Sequence, residues 1–162
     1  PDTQYKVGIV WSGSPTHKND FNRSCEITDF LPILQVPGVK FYSLQKGERR
    51  KELTQVPSNI QIKDLSSQLN NYADTAAVIE QLDLVITVDT SVAHLAGALG
   101  KNVWTLLCFN PDWRWLQDTE NTPWYPTMKL FRQPQSREWQ KVIEKVQAQL
   151  WKIVTEKMII KC

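Results

Sequence analysis

The chain has 162 residues, of which 41% are hydrophobic and 10% aromatic, and its formal net charge is +2. This length and composition suit one domain with a packed core, and they exclude a disordered or collagen-like chain. The nearly balanced charge gives no general attraction to nucleic acid or to an anionic membrane, so we expect no nucleic-acid partner.

Short apolar runs alternate with segments of helical spacing along the chain. In chain order, the pattern predicts a strand at 5–11, a helix capped by Thr28 at 29–35, a strand at 39–44, a charged helix at 48–55, a short strand at 59–62 and a helix after Asn70 or Asn71. It then predicts a strand at 84–88, a helix from 89–91 to Gly100, a strand at 102–107, an aromatic loop at 108–127, a strand at 128–131 and a helix from about Ser136. Alternating apolar strands and helices are typical of an α/β fold with a doubly wound, Rossmann-like parallel sheet.

The three cysteines, Cys25, Cys108 and Cys162, show no paired spacing and no clustering with histidine. The lack of paired spacing predicts reduced thiols and therefore a cytoplasmic protein, and the lack of cysteine–histidine clusters predicts that there is no metal site. The chain also lacks an Asp-x-Asp pair, so we expect no metal cofactor. The sequence does not begin with Met and enters its first strand almost at once, and we therefore interpret residues 1–162 as a single domain cut from a longer protein.

The loop after residue 88 is the sharpest candidate site, because ligands of open α/β sheets bind beyond the carboxyl ends of the strands. Asp89, Thr90 and Ser91 place small polar side chains and free backbone N–H groups at a helix N-terminus, which favours an anion such as a diphosphate. His94 lies one turn further on and can face the same ligand. From spacing alone, a plain N-cap role for Asp89 and a buried helix histidine at position 94 stay open.

Two other loops contribute candidates. After the first strand, Gly13 allows close backbone approach, while Ser14, Thr16 and Lys18 can bind phosphate oxygens. Judged alone this loop is better explained as a solvated polar loop, since the glycine patterns of dinucleotide and NTPase sites are absent. After the second strand, Lys46 is the candidate, and the basic run that follows it is interpreted as a solvated face.

The segment at 108–127 is unusually aromatic, with Trp113, Trp115 and Trp124. Aromatic rings in a loop on the ligand side of the sheet can stack on a base or a sugar. They can equally form a hydrophobic plug beneath a long loop. We favour the plug for at least two of the three tryptophans.

Residues 83–100, DLVITVDTSVAHLAGALG, resemble the C-terminal signature of heptosyltransferase-type glycosyltransferases. The flanking segments are similar to bacterial tetratricopeptide-repeat glycosyltransferases. They are GSPTHKND with NRS, SLQKG, PDWRW and PWYP. The likeness extends over about residues 5–150, and several motifs in the same order make it more specific than any one of them.

The resemblance implies the C-terminal half of a GT-B fold, in which two Rossmann-like domains face each other. This half would bind a nucleotide-diphosphate sugar as donor substrate, for metal-independent, inverting transfer to an acceptor. The family's diphosphate contacts carry over to Lys18, Asp89, Thr90, Ser91 and His94, with Lys18 and His94 in catalytic roles. Ser91 stands where heptosyltransferases usually have glycine, which leaves the sugar open.

The resemblance also implies that the acceptor-binding domain lies upstream in the same polypeptide, with or without tetratricopeptide repeats. The general base would lie there too, so we expect the isolated domain to transfer sugar poorly. The acceptor, whether glycan, lipid or protein, is not indicated. The alternatives are a nucleotide-sugar epimerase, a non-catalytic scaffold that kept the fold and, third, an NAD-dependent dehydrogenase, which the missing glycine fingerprint disfavours.

Overall fold

The computed structural model describes residues 4–160. Strands and helices alternate through them as the sequence predicts. The strands are β1 (Tyr5–Val10), β2 (Val39–Ser43), β3 (Ile62–Asp64), β4 (Leu84–Val88), β5 (Val103–Leu107) and β6 (Met128–Arg132). The α-helices are α1 (Asp20–Arg23), α2 (Leu31–Leu34), α3 (Tyr72–Glu80), α4 (Ser91–Ala98) and α5 (Trp139–Ile160). Short 3-10 helices lie at Ile27–Phe30, Glu48–Gln55, Ser66–Gln68 and Trp113–Trp115.

The six strands form one parallel sheet in the order β3-β2-β1-β4-β5-β6. Strand β1 is central, since Val7 pairs with Phe41 of β2 on one side and with Leu84 of β4 on the other. The direction of winding reverses between β1 and β4, which creates a topological switch point at the carboxyl ends of these strands. The predicted doubly wound, Rossmann-like α/β fold is confirmed.

Both faces of the sheet are covered, because alternate residues of each strand point to opposite sides. Ile86 belongs to a core shared with α2 and α5, whereas Val85 belongs to a second core shared with α3 and α4. Every residue of β4 and β5 is buried. Helix α5 contributes an apolar stripe at helical spacing. Its buried members are Trp139, Val142, Ile143, Val146, Leu150 and Val154.

Several predicted boundaries differ from the structure. The segment Glu48–Gln55 is a 3-10 helix with no buried residue, so no packed apolar face stabilises an α-helix there. The helix predicted at 29–35 begins as the 3-10 turn Ile27–Phe30, whose N-cap is Glu26 rather than Thr28. The third strand starts at Ile62, after a turn that the Ile60 N–H closes onto the Pro57 carbonyl.

The composition also led to predictions about cysteines, metal ligands and membrane spans. Cys25 and Cys108 are free and buried, and Cys162 lies outside the described residues. Within residues 4–160 we find no group of three or more acidic, histidine or cysteine side chains able to hold a metal ion. In the same range, no helix has the length and apolar character needed to cross a bilayer.

Candidate active site at the switch point

A cleft of about 810 Å³ lies beyond the carboxyl ends of the central strands. Four loops line it, and they follow β1, β2, β4 and β5. Of the residues predicted from the sequence, the cleft brings together Gly13, Ser14, Lys46, Asp89, Thr90, Ser91 and His94. Thr16 and Lys18 are exposed on the loop after β1 and do not line it. Within residues 4–160, Lys18 has no hydrogen-bond or ion-pair partner.

The N-terminus of α4 opens into this cleft. Thr90 is the N-cap residue, in extended conformation, and no side chain of the described residues caps the helix. The Thr90 hydroxyl instead lies 3.0 Å from the Thr87 hydroxyl. The Ser91 and Val92 N–H groups of the first turn are therefore left for a ligand, and they lie at the positive end of the helix dipole.

Asp89 is not the N-cap, so the plain capping role considered for it is wrong. Its carboxylate turns to the loop after β5 and accepts a hydrogen bond from Trp115 Nε1 at 2.9 Å. Its backbone carbonyl accepts from Arg23 Nη1 at 3.0 Å. Asp89 therefore connects two walls of the cleft, and its negative charge is directed at a tryptophan rather than at the helix N-terminus.

His94 sits in a cluster with Asp89, Trp115 and Tyr125. Its ring stacks on Trp115, with centroids 5.1 Å apart and planes 21° apart, and its Nδ1 lies 3.0 Å from the Tyr125 hydroxyl. Nε2 lies 3.9 Å from the Asp89 carboxylate. Burial lowers the pKa of His94 below its usual value, and Asp89 opposes that shift only in part. At neutral pH the ring is therefore uncharged and acts as a hydrogen-bond donor or acceptor.

Gly97 makes this cluster possible. A Cβ atom at this position would lie 2.5 Å from the Tyr125 ring, so only glycine lets the ring pack against α4. The position of Tyr125 in turn fixes the histidine through the hydrogen bond to Nδ1. The contact joins residues from distant parts of the chain, and the sequence signal for it is the glycine three residues after His94.

Arg23 is the functional candidate that the sequence analysis missed. Its side chain is 14% exposed and lines the cleft, where it bridges the loop after β1 and the loop after β4. Its Nε lies 3.7 Å from the Asp20 carboxylate and has no hydrogen-bond partner among the described residues. A Cβ on Gly13 would lie 2.6 Å from Nη2, so the glycine makes room for the guanidinium. The signal was present as the NRS motif.

Gln45 and Lys46 hold the loops after β1 and β2 together. The buried Gln45 side chain accepts from the N–H groups of Trp11 and Ser12 at 3.1 and 3.0 Å, and donates to the Ser12 carbonyl at 3.0 Å. The Lys46 ammonium lies against the cleft, but it donates to the backbone carbonyls of Ser66 and Leu69. Its charge is thus partly satisfied by the protein.

The aromatic loop contradicts the plug prediction. Trp115 is fully buried, but Trp113 is 77% and Trp124 56% exposed, so one tryptophan and not two lies beneath the loop. Hydrogen bonds hold the rest of the segment, because the Arg132 guanidinium donates to the backbone carbonyls of Trp115, Leu116 and Thr119. The Trp124 indole donates to the Arg114 carbonyl at 2.9 Å.

Comparison with known proteins agrees with this fold. Protein FlbA of Caulobacter vibrioides is 28% identical over 148 residues, which cover 87% of this chain and 24% of that protein. The structure of E. coli ADP-heptose LPS heptosyltransferase II superposes with a TM-score of 0.66 at 12% identity, over 98% of this chain and 49% of that one. The structure of the family 9 glycosyl transferase from Veillonella parvula superposes with a TM-score of 0.58 at 18% identity, over 100% of this chain and 48% of that one.

The chain thus spans about a quarter of the curated relative it matches and about half of each solved structure. At these identities the two solved structures show the shared fold and nothing finer. The family model of glycosyltransferase family 9 (heptosyltransferase) matches residues 38–144, which contain β2 to β6 and the first turns of α5. This chain belongs to glycosyltransferase family 9 (heptosyltransferase).

Proposed function

We propose that this chain is the donor-binding half of a GT-B glycosyltransferase, which holds a nucleotide-diphosphate sugar for metal-independent, inverting transfer. One observation carries the proposal: the uncapped N-terminus of α4 and the Arg23 guanidinium face the same cleft at the switch point. Backbone N–H groups and a planar cation are the groups that proteins use to bind phosphate. Family membership supports glycosyl transfer as the reaction class.

The diphosphate would lie across the start of α4. The N–H groups of Ser91 and Val92 and the Ser91 hydroxyl would bind one phosphate beside Thr90, and Arg23 would bridge both phosphates through its forked donors. Arg23 is already held in place by the Asp89 carbonyl, so little side-chain entropy is lost when the ligand binds. Ser91 in the position usual for glycine leaves the sugar open between a hexose and a heptose.

The same groups would act on the reaction itself. The acceptor hydroxyl attacks the anomeric carbon, the bond from that carbon to the diphosphate breaks, and the proton leaves to a base outside this chain. Negative charge grows on the departing diphosphate, where Arg23, His94 and the α4 amides can stabilise it. Lys18 would add a second positive charge if the exposed loop after β1 folds over the donor.

The acceptor would be bound by a domain upstream in the same polypeptide, with or without tetratricopeptide repeats. Whether the acceptor is a glycan, a lipid or a protein is left open by this proposal. The cytoplasmic location expected from the cysteines stays a prediction.

Calorimetric titration of the chain with ADP, GDP, UDP and CDP in the presence of EDTA tests the proposal. We expect one nucleoside diphosphate to bind saturably without metal. Arg23→Ala should weaken that binding about tenfold to a hundredfold, because a charge-assisted hydrogen bond is lost. Lys18→Ala should weaken it less.

Lys141→Ala is the matched control, since it removes a positive charge from α5, where Lys141 pairs with Glu138 away from the cleft. Equal losses in Arg23→Ala and Lys141→Ala would show a general charge effect and remove Arg23 from the site. Failure of all four nucleotides to bind would favour the scaffold alternative. Turnover of a nucleotide sugar without any acceptor would favour the epimerase.

A further inference from the structure

His17 lines the cleft but has no part in the diphosphate site just described. Its Nδ1 accepts a hydrogen bond from the Asn19 N–H at 3.1 Å. A ring nitrogen that accepts a hydrogen bond cannot carry the proton, so in the neutral imidazole the proton is on Nε2. Within residues 4–160, Nε2 has no hydrogen-bond partner. The ring therefore offers its Nε2–H as a hydrogen-bond donor to a ligand.

The backbone on both sides of His17 is held by the loop itself. The His17 N–H donates to the Ser14 carbonyl at 3.0 Å, and the Asp20 N–H donates to the His17 carbonyl at 2.9 Å. These bonds form consecutive turns over the start of α1. The histidine is therefore oriented by bonds within its own loop, and its Nε2 is left for a ligand.

His17 and Arg23 differ in exposure. The Arg23 side chain is 14% exposed, lies against Gly13 and donates to the Asp89 carbonyl, whereas His17 is exposed on the loop after β1. With the diphosphate on Arg23 and the start of α4, the transferred sugar would lie toward the exposed His17. An acceptor that comes from outside this chain would then reach the anomeric carbon from that side.

We propose that His17 recognises a hydroxyl group of the transferred sugar through its Nε2–H. The inference rests on the proposed function and assigns a specificity-determining residue that is distinct from the phosphate-binding groups. A single ring N–H donor can bind a hydroxyl oxygen. A site built around such a donor discriminates against sugars that lack an acceptor at that point.

Two conservative variants separate this role from a purely structural one. In His17→Asn, the short carboxamide can still accept from the Asn19 N–H, as asparagine commonly does two residues along in turns, but it does not reach the position of Nε2. In His17→Gln, the longer side chain places an N–H group near the position of Nε2. A structural role predicts rescue by Asn, and sugar recognition predicts rescue by Gln.

The experiment titrates wild type and both variants with two ligands each. One is the nucleoside diphosphate that binds wild type. The other is its sugar nucleotide, chosen from ADP-glucose, GDP-mannose, UDP-glucose, UDP-N-acetylglucosamine and CDP-glucose as the one that wild type binds most tightly. We expect His17→Asn to lose about tenfold in affinity for the sugar nucleotide and nothing for the diphosphate, and His17→Gln to retain most of it.

The outcomes distinguish this inference from the function on which it rests. Absence of nucleotide binding by wild type would overturn the proposed function, and this inference with it. Two results would overturn this inference alone, provided that wild type binds the nucleotide. One is an equal loss of affinity for the diphosphate and the sugar nucleotide in His17→Asn, and the other is wild-type affinity of His17→Asn for the sugar nucleotide. As a control, equal melting temperatures of wild type and both variants would show that the substitutions leave the fold intact.

Discussion

The two walls of the cleft differ in how their side chains are held. In the α4 wall, made of Asp89 and His94 with Trp115 and Tyr125, stacked rings and hydrogen bonds join residues from three separate segments. In the β1 loop, residues 12–19, the side-chain bonds beyond Gly13 are local, such as the one between Ser14 and Thr16. The α4 wall is preorganised before any ligand arrives, and the β1 loop is free to adjust to one.

The anchor of the β1 loop shows where this freedom begins. Gln45 binds the backbone of Trp11 and Ser12, and the Ser24 hydroxyl accepts from the Gly13 N–H at 2.9 Å. Residues 14–18 beyond these anchors are all exposed. Adjustment to a ligand is thus confined to the tip that carries Lys18 and the proposed sugar contact.

The largest expected effect comes from removing the ring at the centre of the α4 wall. Trp115→Ala deletes a fully buried indole and its hydrogen bond to Asp89, and we expect the free energy of unfolding to fall by about 3–5 kcal/mol. Trp113→Ala, in the same 3-10 helix but 77% exposed, should change it by less than about 0.5 kcal/mol. Urea unfolding followed by circular dichroism measures both, and similar losses would mean that the two tryptophans are equally structural.

An identical substitution in each wall sharpens the comparison. Gly97→Ala forces a methyl group against the Tyr125 ring and should cost about 1–3 kcal/mol in stability. Gly13→Ala meets only the flexible side-chain ends of Arg23 and Asp20, so it should leave stability nearly unchanged while it displaces the guanidinium and weakens nucleotide binding. Introducing Gly97→Ala into a Tyr125→Ala background tests the cause, because the penalty should shrink once the ring is gone. An undiminished penalty would place the clash elsewhere.

The smallest expected effect is a pH dependence of the α4 wall. Burial holds the pKa of His94 below its usual value, so the unfolded chain binds the proton more tightly than the folded one. The stability that His94 contributes is therefore present above the usual histidine pKa of about 6.5 and is lost as the pH falls below it. Urea titrations at several pH values should show a shallower decline for His94→Gln than for wild type or Trp113→Ala. An equal dependence of stability on pH in all three proteins would contradict a lowered pKa of His94.

The sequence was sufficient for the fold and for the N-terminus of α4 for the same physical reason. Strand β4 is an unbroken apolar run and α4 follows it with small polar residues, so both signals are local. Arg23 was visible in the NRS motif but was given no role, because its helix has four residues and no buried side chain, which leaves no periodicity to place it. The engagement of Lys46 could not be predicted either, since its carbonyl partners at Ser66 and Leu69 come from a distant part of the chain.

Two tryptophans of one 3-10 helix show the same limit of prediction from sequence. Trp113 and Trp115 are chemically identical and lie in one turn, yet one is exposed and the other buried. In a 3-10 helix, successive side chains point about a third of a turn apart, so neighbours in sequence face different surroundings. Trp115 is buried because it packs into the core that contains Ala93 and Ala96 of α4.

Helix α5 also determines when the chain can finish folding during synthesis. Its stripe from Trp139 to Val154 closes the core that contains Val7 and Ile33. Its last turns bring the Lys157 ammonium 4.5 Å from the centre of the Tyr5 ring. These partners lie at opposite ends of the sequence, and contacts of such high sequence separation form slowly. One apolar face of the sheet therefore stays uncovered until α5 has left the ribosome, and before then the nascent domain most needs protection from aggregation.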